Sequence, residues 1–223
     1  MSRFFLLATI LLSSTGAAAS DLVLNNPDFE EVMVGNRIPG WSRTQHAGVR
    51  AYEITSDTKS VDKGKASIRM LRTTEQAYGL IMQQLETPDL AGKTVELVAA
   101  LKGENVGKKG WVMVLTFKNH SNILDQVRAK PVTGDAGWAD ATITRIAPLG
   151  TSHIEIGFML LDSGAGWADN VRLRTLDVDQ PNPEAADADA DTEKSVADTV
   201  SPDQSESVKA ASSKKPATGK GDH

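Results

Sequence analysis

Few residues in this chain pair into catalytic machinery. Of its four histidines, His46, His120, His153 and His223, no two stand at the HxxxH spacing that puts two ligands on one metal. No GxSxG elbow, SxxK pair or phosphate-cradling loop is present. Ser163 follows Asp162, but a serine nucleophile needs a histidine base that no spacing supplies. Acids are plentiful, yet nothing singles out a facing pair of the kind glycoside hydrolysis requires. The residues therefore predict a protein that is not an enzyme. One acid stands out for its position. In "GAGWADNVRL" strict strand alternation puts Trp167, Val171 and Leu173 on one face and Asn170, Arg172 and Arg174 on the other, so that Asp169 falls on the apolar side. A carboxylate so placed needs backbone amides, a cation such as Lys65, or an ion.

Binding chemistry has more material. Sugars are held in water by flat aromatic faces, with amides, acids and guanidinium groups on the hydroxyls. Tyr52 in "VRAYEIT", Tyr78 before "GLIMQQL" and Trp111 after "GKKG" are the rings expected to serve. Arg69 alternates with Ile68 and Met70 and so points away from the core. Gln83 ends the run after Tyr78, and His120 lies in a polar loop with Asn119 and Asn122. Aromatic residues make up only 5% of the chain, so such a platform is thin. The opposing expectation for these rings is packing, with Trp111 covering the end of a sandwich and Tyr78 an edge strand.

The elements that must position these groups are short strands. Val95, Leu97, Ala99 and Leu101 alternate in one run, Trp111, Met113, Leu115 and Phe117 in a second, and Ile154, Ile156, Phe158 and Leu160 in a third. Turn chemistry such as "DKGK", "KNHSN" and "DSGAG" separates the runs. Only "TTEQAYGLIMQQL" leaves room for a helical turn. This pattern predicts an all-β, antiparallel β-sandwich over residues 21–177. Residues 1–20, with Arg3, an apolar run at 4–12 and small residues at 16–19, have the layout of a secretory signal peptide cleaved near Ala19 or Ser20, too short in its apolar run for a transmembrane anchor. Residues 178–223 contain no aromatic residue and no Leu, Ile or Met, which predicts a disordered low-complexity tail. Its five lysines could touch an anionic surface, or the tail could simply solubilise. With no cysteine there is no disulfide framework and no lipid-attached cysteine. A formal net charge of -5 argues against nucleic acid as a partner. The expected location is periplasmic or secreted.

Taken in order, "NNPDFEE", "IPGW", "GKASIRM", "YGLIMQQL", "LAGKTVELVAALKGENV", "GWADATIT" and "GAGWADNVRL" resemble the galactose-binding-domain-like jelly rolls that include carbohydrate-binding modules of the family 4, 9 and 22 type. The resemblance covers nearly all of residues 21–177. It implies a jelly roll with a concave sheet face and makes Trp41, Trp138 and Trp167 framework residues. It also implies a structural calcium held by Asp169, by an acid of the "NPDFEE" stretch (Glu30, or Asp28 or Glu31) and by carbonyls of the "DKGK" loop. The implied partner is a carbohydrate or cell-envelope polymer. Because this fold also serves in protein interaction, another exported protein stays open as the alternative.

Overall fold

The computed structural model describes residues 19–176 except 32, 47 and 88. The expected leader, apart from Ala19 and Ser20, and the whole expected tail lie outside the described residues. Ten strands are formed: β1 Ala19–Asp21, β2 Ser42–Gln45, β3 Tyr52–Asp57, β4 Ser67–Arg72, β5 Gly79–Glu86, β6 Thr94–Asn119, β7 Asn122–Arg128, β8 Val132–Ile146, β9 His153–Leu160 and β10 Ala165–Leu176. No helix occurs among the described residues. The helical turn left open before β5 is absent, and bends lead straight into Gly79. That glycine is required by packing, since a Cβ on it would lie 2.6 Å from the Tyr52 ring.

All strand pairs are antiparallel. The order β2-β5-β9-β6-β10-β4-β3 forms one continuous path, with β1 beside β10 and with β7 and β8 beside β6. Strand β6 is 26 residues long and joins the two layers. Its first half pairs with β10 and β8, whereas from Trp111 onward it pairs with β9 and β7. Layer one is thus β8-β6-β10-β4-β3, and layer two is β2-β5-β9-β6-β7. Irregular register against β8 between Leu101 and Trp111 marks where β6 crosses over.

The alternation seen in the sequence is the alternation of burial. Val95, Leu97, Ala99 and Leu101 from layer one meet Met113, Leu115, Phe117, Ile154, Ile156 and Phe158 from layer two in one core. Trp111 stacks on Phe158 at 5.8 Å, and Trp41 and Phe29 extend the aromatic cluster. Of the framework tryptophans, Trp41 and Trp167 are buried and Trp138 is half-buried.

One strand breaks the pattern. Between Asp169 and Arg172, β10 advances three residues while β6 advances two, from Ala100 to Val98. Asn170 absorbs the extra residue with a left-handed φ of 49°. This bulge reverses the alternation. Ala168 faces the core opposite Leu101 and Ile68, Val171 and Leu173 face it after the bulge, and Trp167 and Asp169 lie on the outer side of layer one. Asp169 does not point into the core, contrary to the alternation read from sequence. It is buried because the loop at 58–66 folds over it.

Candidate functional site

The two outer faces of the sandwich differ in what covers them. On layer one the loop at 58–66 closes the surface. Asp169, 0% exposed, accepts hydrogen bonds from the amides of Asp62 (3.0 Å) and Lys63 (3.2 Å) on one oxygen and of Asn170 (2.7 Å) on the other. Glu30 accepts from the amides of Lys65 (2.5 Å) and Ala66 (3.2 Å) of the same loop. Asn170 ties the loop again through the Asp62 carboxylate at 2.7 Å. Burial pushes the Asp169 carboxyl above its ordinary value, against the pull of those amides. Beside it, Trp167 lies beneath Arg69 (5.3 Å) and Lys102 (4.8 Å), and its indole N–H donates to Asp57 at 2.8 Å.

Asp169 and Glu30 do converge on one loop, as the calcium expectation requires. Their donor set fits a different purpose, however. Both Asp169 oxygens and one Glu30 oxygen already accept five amide N–H groups between them, and no group of three His, Cys, Asp or Glu side chains suited to a metal gathers among the described residues. The arrangement fits a pair of acids pinning a loop better than an oxygen cage.

The ring and amide residues expected to form a ligand site do not assemble. Trp111 is 0% exposed, donates its indole N–H to the Trp167 carbonyl at 3.0 Å and packs on Gly166, where a Cβ would lie 2.3 Å from the indole. It shares the inward face with Met113, Leu115 and Phe117, so the alternation that buries them buries it too. Tyr52, 4% exposed, points inward with Ile54 and donates its hydroxyl to the Gln76 carbonyl at 3.4 Å. Burial raises the Tyr52 phenol above its ordinary value. Gln83, 3% exposed, bonds both the N–H and the carbonyl of Asn25 at 2.8 Å, imitating a strand partner for the N-terminal segment. Arg69 points outward as expected, but onto Trp167 in layer one. His120 is exposed at the β6–β7 turn with φ 49°, and its carbonyl accepts from His153 Nε2 at 3.0 Å. Tyr78 alone stands on an outer face as a half-buried ring, edge-on to His46 at 5.9 Å. It adjoins the Gly79–Leu160 pair, and His120 adjoins the Lys118–His153 pair, so strand rise separates the two by roughly 23 Å along β9.

The outer face of layer two is what Tyr78 belongs to. Val112, Val114 and Met159 form an apolar pad there, with Tyr78, Leu80 and Leu161 packed against it. Strand register continues this pad into polar rows. Met82, Gly157, Val114 and Arg128 lie side by side, followed by Gln84, Glu155, Thr116 and Gln126. Gln126 donates to the Thr116 hydroxyl at 3.1 Å, and Lys118 pairs with Glu155 at 2.8 Å. Gln84, Gln126 and Arg128 are exposed. Gly157 is covered by its neighbours, and a Cβ on it would lie 2.8 Å from the Ile81 carbonyl and 2.9 Å from the Leu80 side chain. From sequence alone this row was obscure, because it depends on which strands are neighbours.

A second feature lies where the layers part, between edge strands β2 and β3. A cleft of about 510 Å³ is lined by Arg43, Arg50, Tyr52, Glu53 and Ile54 among others, and a smaller recess of about 220 Å³ shares both arginines. Arg43 was not foreseen as a site residue.

No protein-family model matches the chain. An HTH-type transcriptional regulator of Bacillus subtilis, YbfP, is 25% identical over 158 residues, covering 69% of this chain, and the chain spans about half (53%) of that protein's length. A domain of bacteriophage CBA120 tailspike protein 4 superposes with a TM-score of 0.56 at 16% identity, over 67% of this chain and 21% of that one. A cyclase from Fischerella sp. TAU gives 0.56 at 14% identity, over 73% and 100% of the chains. The CBM22-1 xylan-binding domain of Paenibacillus barcinonensis Xyn10C gives 0.50 at 14%, over 74% and 99%. The domain has the antiparallel jelly-roll fold that this carbohydrate-binding module also has. These likenesses carry the fold, and the same fold is found in a tailspike, a cyclase and a xylan binder.

Proposed function

We propose that the protein is an exported, non-catalytic module that binds a glycan on the outer face of the β2-β5-β9-β6-β7 layer. The observation that carries this reading is the juxtaposition of the Tyr78 pad with the exposed amide and guanidinium side chains of Gln84, Gln126 and Arg128 in the adjoining strand rows. A ring beside an apolar pad offers the C–H face of a sugar a dry surface, and Gln84, Gln126 and Arg128 offer its hydroxyls donors and acceptors. The xylan-binding neighbour supports this use of the fold. The sequence layout of residues 1–20 supports export to the periplasm or beyond.

A polysaccharide pull-down across xylans, galactans and cell-wall polymers tests it. Retention of one polymer, weakened in Tyr78→Ala and in Gln126→Ala, is the expected result. Failure of the folded protein to retain any of them overturns it. A protein-interaction role has one observation in its favour. Ile123, Leu124 and Ile146 are 61%, 40% and 63% exposed near the β7–β8 border, and such apolar surface suits a protein partner. Co-purification of one exported protein, lost in Ile146→Glu, would select that role instead.

A further inference from the structure

Most of the arginines in this domain have been given something to do. Five ion pairs occur among the described residues, and they occupy Arg72, Arg145, Arg172 and Arg174 together with Lys118. Arg69 covers Trp167, and Arg128 donates to Gln126 at 3.4 Å. In the cleft between β2 and β3 the situation is different. Arg43 sits opposite Ile81 in register, so its side chain enters the gap between the layers, where Tyr52 and Ile54 of β3 face it. It is half-buried, and among the described residues its side chain makes no hydrogen bond and has no acid within 4.0 Å. Arg50, exposed and equally unpaired, lines the same cleft from the β2–β3 loop.

Two like charges set side by side without a counter-charge cost stability unless an anion joins them. The loop that creates this cost is held firmly in place. Gln45 donates to the Val49 carbonyl at 2.7 Å and accepts from the Ala51 amide at 3.1 Å, on either side of Arg50. Thr73 bonds the Ala51 carbonyl with both its amide (2.8 Å) and its hydroxyl (3.1 Å). Burial first, and the field of Arg50 second, push the Arg43 guanidinium below its ordinary value. The acid that lines the wider cleft is Glu53. It is exposed, lies beside Leu71 in register, and makes no ion pair with either arginine. The nearby Arg72 is already paired with Asp162 at 3.3 Å.

We propose that this cleft is an anion site in which Arg43 and Arg50 clasp the carboxylate of an acidic sugar residue, so that the glycan is one bearing uronic acids. A guanidinium fork matches a carboxylate with two parallel hydrogen bonds, and the Tyr52 wall and Asn36 flank it with apolar and amide surface. The polymer identity rests on the glycan reading above, whereas the anion site itself stands on the cleft.

The test is calorimetric binding of polygalacturonate against neutral galactan and xylan, joined to NMR titration of the guanidinium signals with galacturonate, galactose and sulfate. Polygalacturonate should bind at least about ten-fold more tightly than the neutral polymers, with the advantage shrinking as salt is raised. Arg43→Ala and Arg50→Ala, checked for an unchanged Tm, should each lose about ten-fold for the acidic polymer, and Arg43→Lys should recover little, because an ammonium lacks the fork. Arg145→Ala, a surface control paired with Asp125, should bind as the parent does. If a neutral polymer binds equally well, or the two variants bind polygalacturonate like the parent, the anion site falls and the glycan reading survives. If galacturonate shifts the Arg43 and Arg50 signals but no polymer is retained, the anion site stands and the glycan reading falls. Sulfate competing as strongly as galacturonate overturns the assignment to a uronate.

Discussion

The surface of layer one and the edge cleft between β2 and β3 are built from the same side-chain types and do opposite things with them. On layer one four cations have an answer: Arg69 and Lys102 lie on Trp167, Lys102 also donates to the Ser60 hydroxyl at 2.7 Å, Arg172 pairs with Asp140 and Arg174 with Glu96. Its two loop-pinning acids, Asp169 and Glu30, accept five amide N–H groups between them. In the cleft, Arg43 and Arg50 have no such partners among the described residues, and the loop between them is fixed by Gln45. Residue type alone is therefore a poor guide to function in a β-sandwich. Unspent hydrogen-bonding capacity held on a rigid frame is the better one.

Mutations that remove a spent group should cost stability, and those that remove an unspent one should cost only binding. The largest effect is expected for Trp111→Ala, which deletes the centre of the aromatic cluster and should destabilise by about 3–5 kcal/mol in denaturant unfolding. Any glycan it loses would be lost through unfolding, and recovery of a folded Trp111→Ala protein with weak binding would restore Trp111 as a contact residue. Asp169→Asn comes next. An amide in place of the carboxylate leaves at least one of the three N–H groups of Asp62, Lys63 and Asn170 without an acceptor, at a cost of about 1–3 kcal/mol. Tyr78→Ala should leave the Tm nearly in place and weaken glycan binding about ten-fold, the size of one lost ring contact of roughly 1.4 kcal/mol.

The fold was legible because burial and alternation coincide in nearly every strand, and Val95 to Leu101 and Ile154 to Leu160 needed only parity to be placed. The site was much less legible, for two reasons. Parity places Trp111 on the face of Met113 and Phe117, whereas its residue type suits a sugar, and in this chain parity decides. Parity misled at Asp169, where a single left-handed residue, Asn170, reverses the faces of β10. Asparagine tolerates that conformation better than most residues, so "DN" was a readable sign of a bulge. Gln83 and Arg43 were beyond such rules. One answers to Asn25 and the other to β3, partners 58 residues and a whole layer away.

The smallest effects, and the most discriminating, concern the acids of layer one. Burial pushes Asp57 up, but the Trp167 indole N–H, the amides of Lys59 and Ser60 and the charge of Arg69 outweigh it and hold its carboxyl below the ordinary range. Asp169 is shifted the other way, raised by its burial. A lowered carboxylate adds stability above its unfolded value and loses it as pH falls through the folded one. A raised carboxylate contributes stability below its unfolded value and loses it as pH rises through the folded one. On acidification the Tm deficit of Asp169→Asn should therefore grow until the pH reaches about 4 and then level off, while that of Asp57→Asn should shrink mainly below about pH 4. Deficits that move in parallel would mean the two acids share one environment, and the contrast within layer one would be lost. Chelation sharpens the same point. With five amides already on Asp169 and Glu30, excess chelator should leave the Tm unchanged. A fall in Tm that added calcium restores in proportion to the free ion would show instead that the amide-capped pair gives way to an ion.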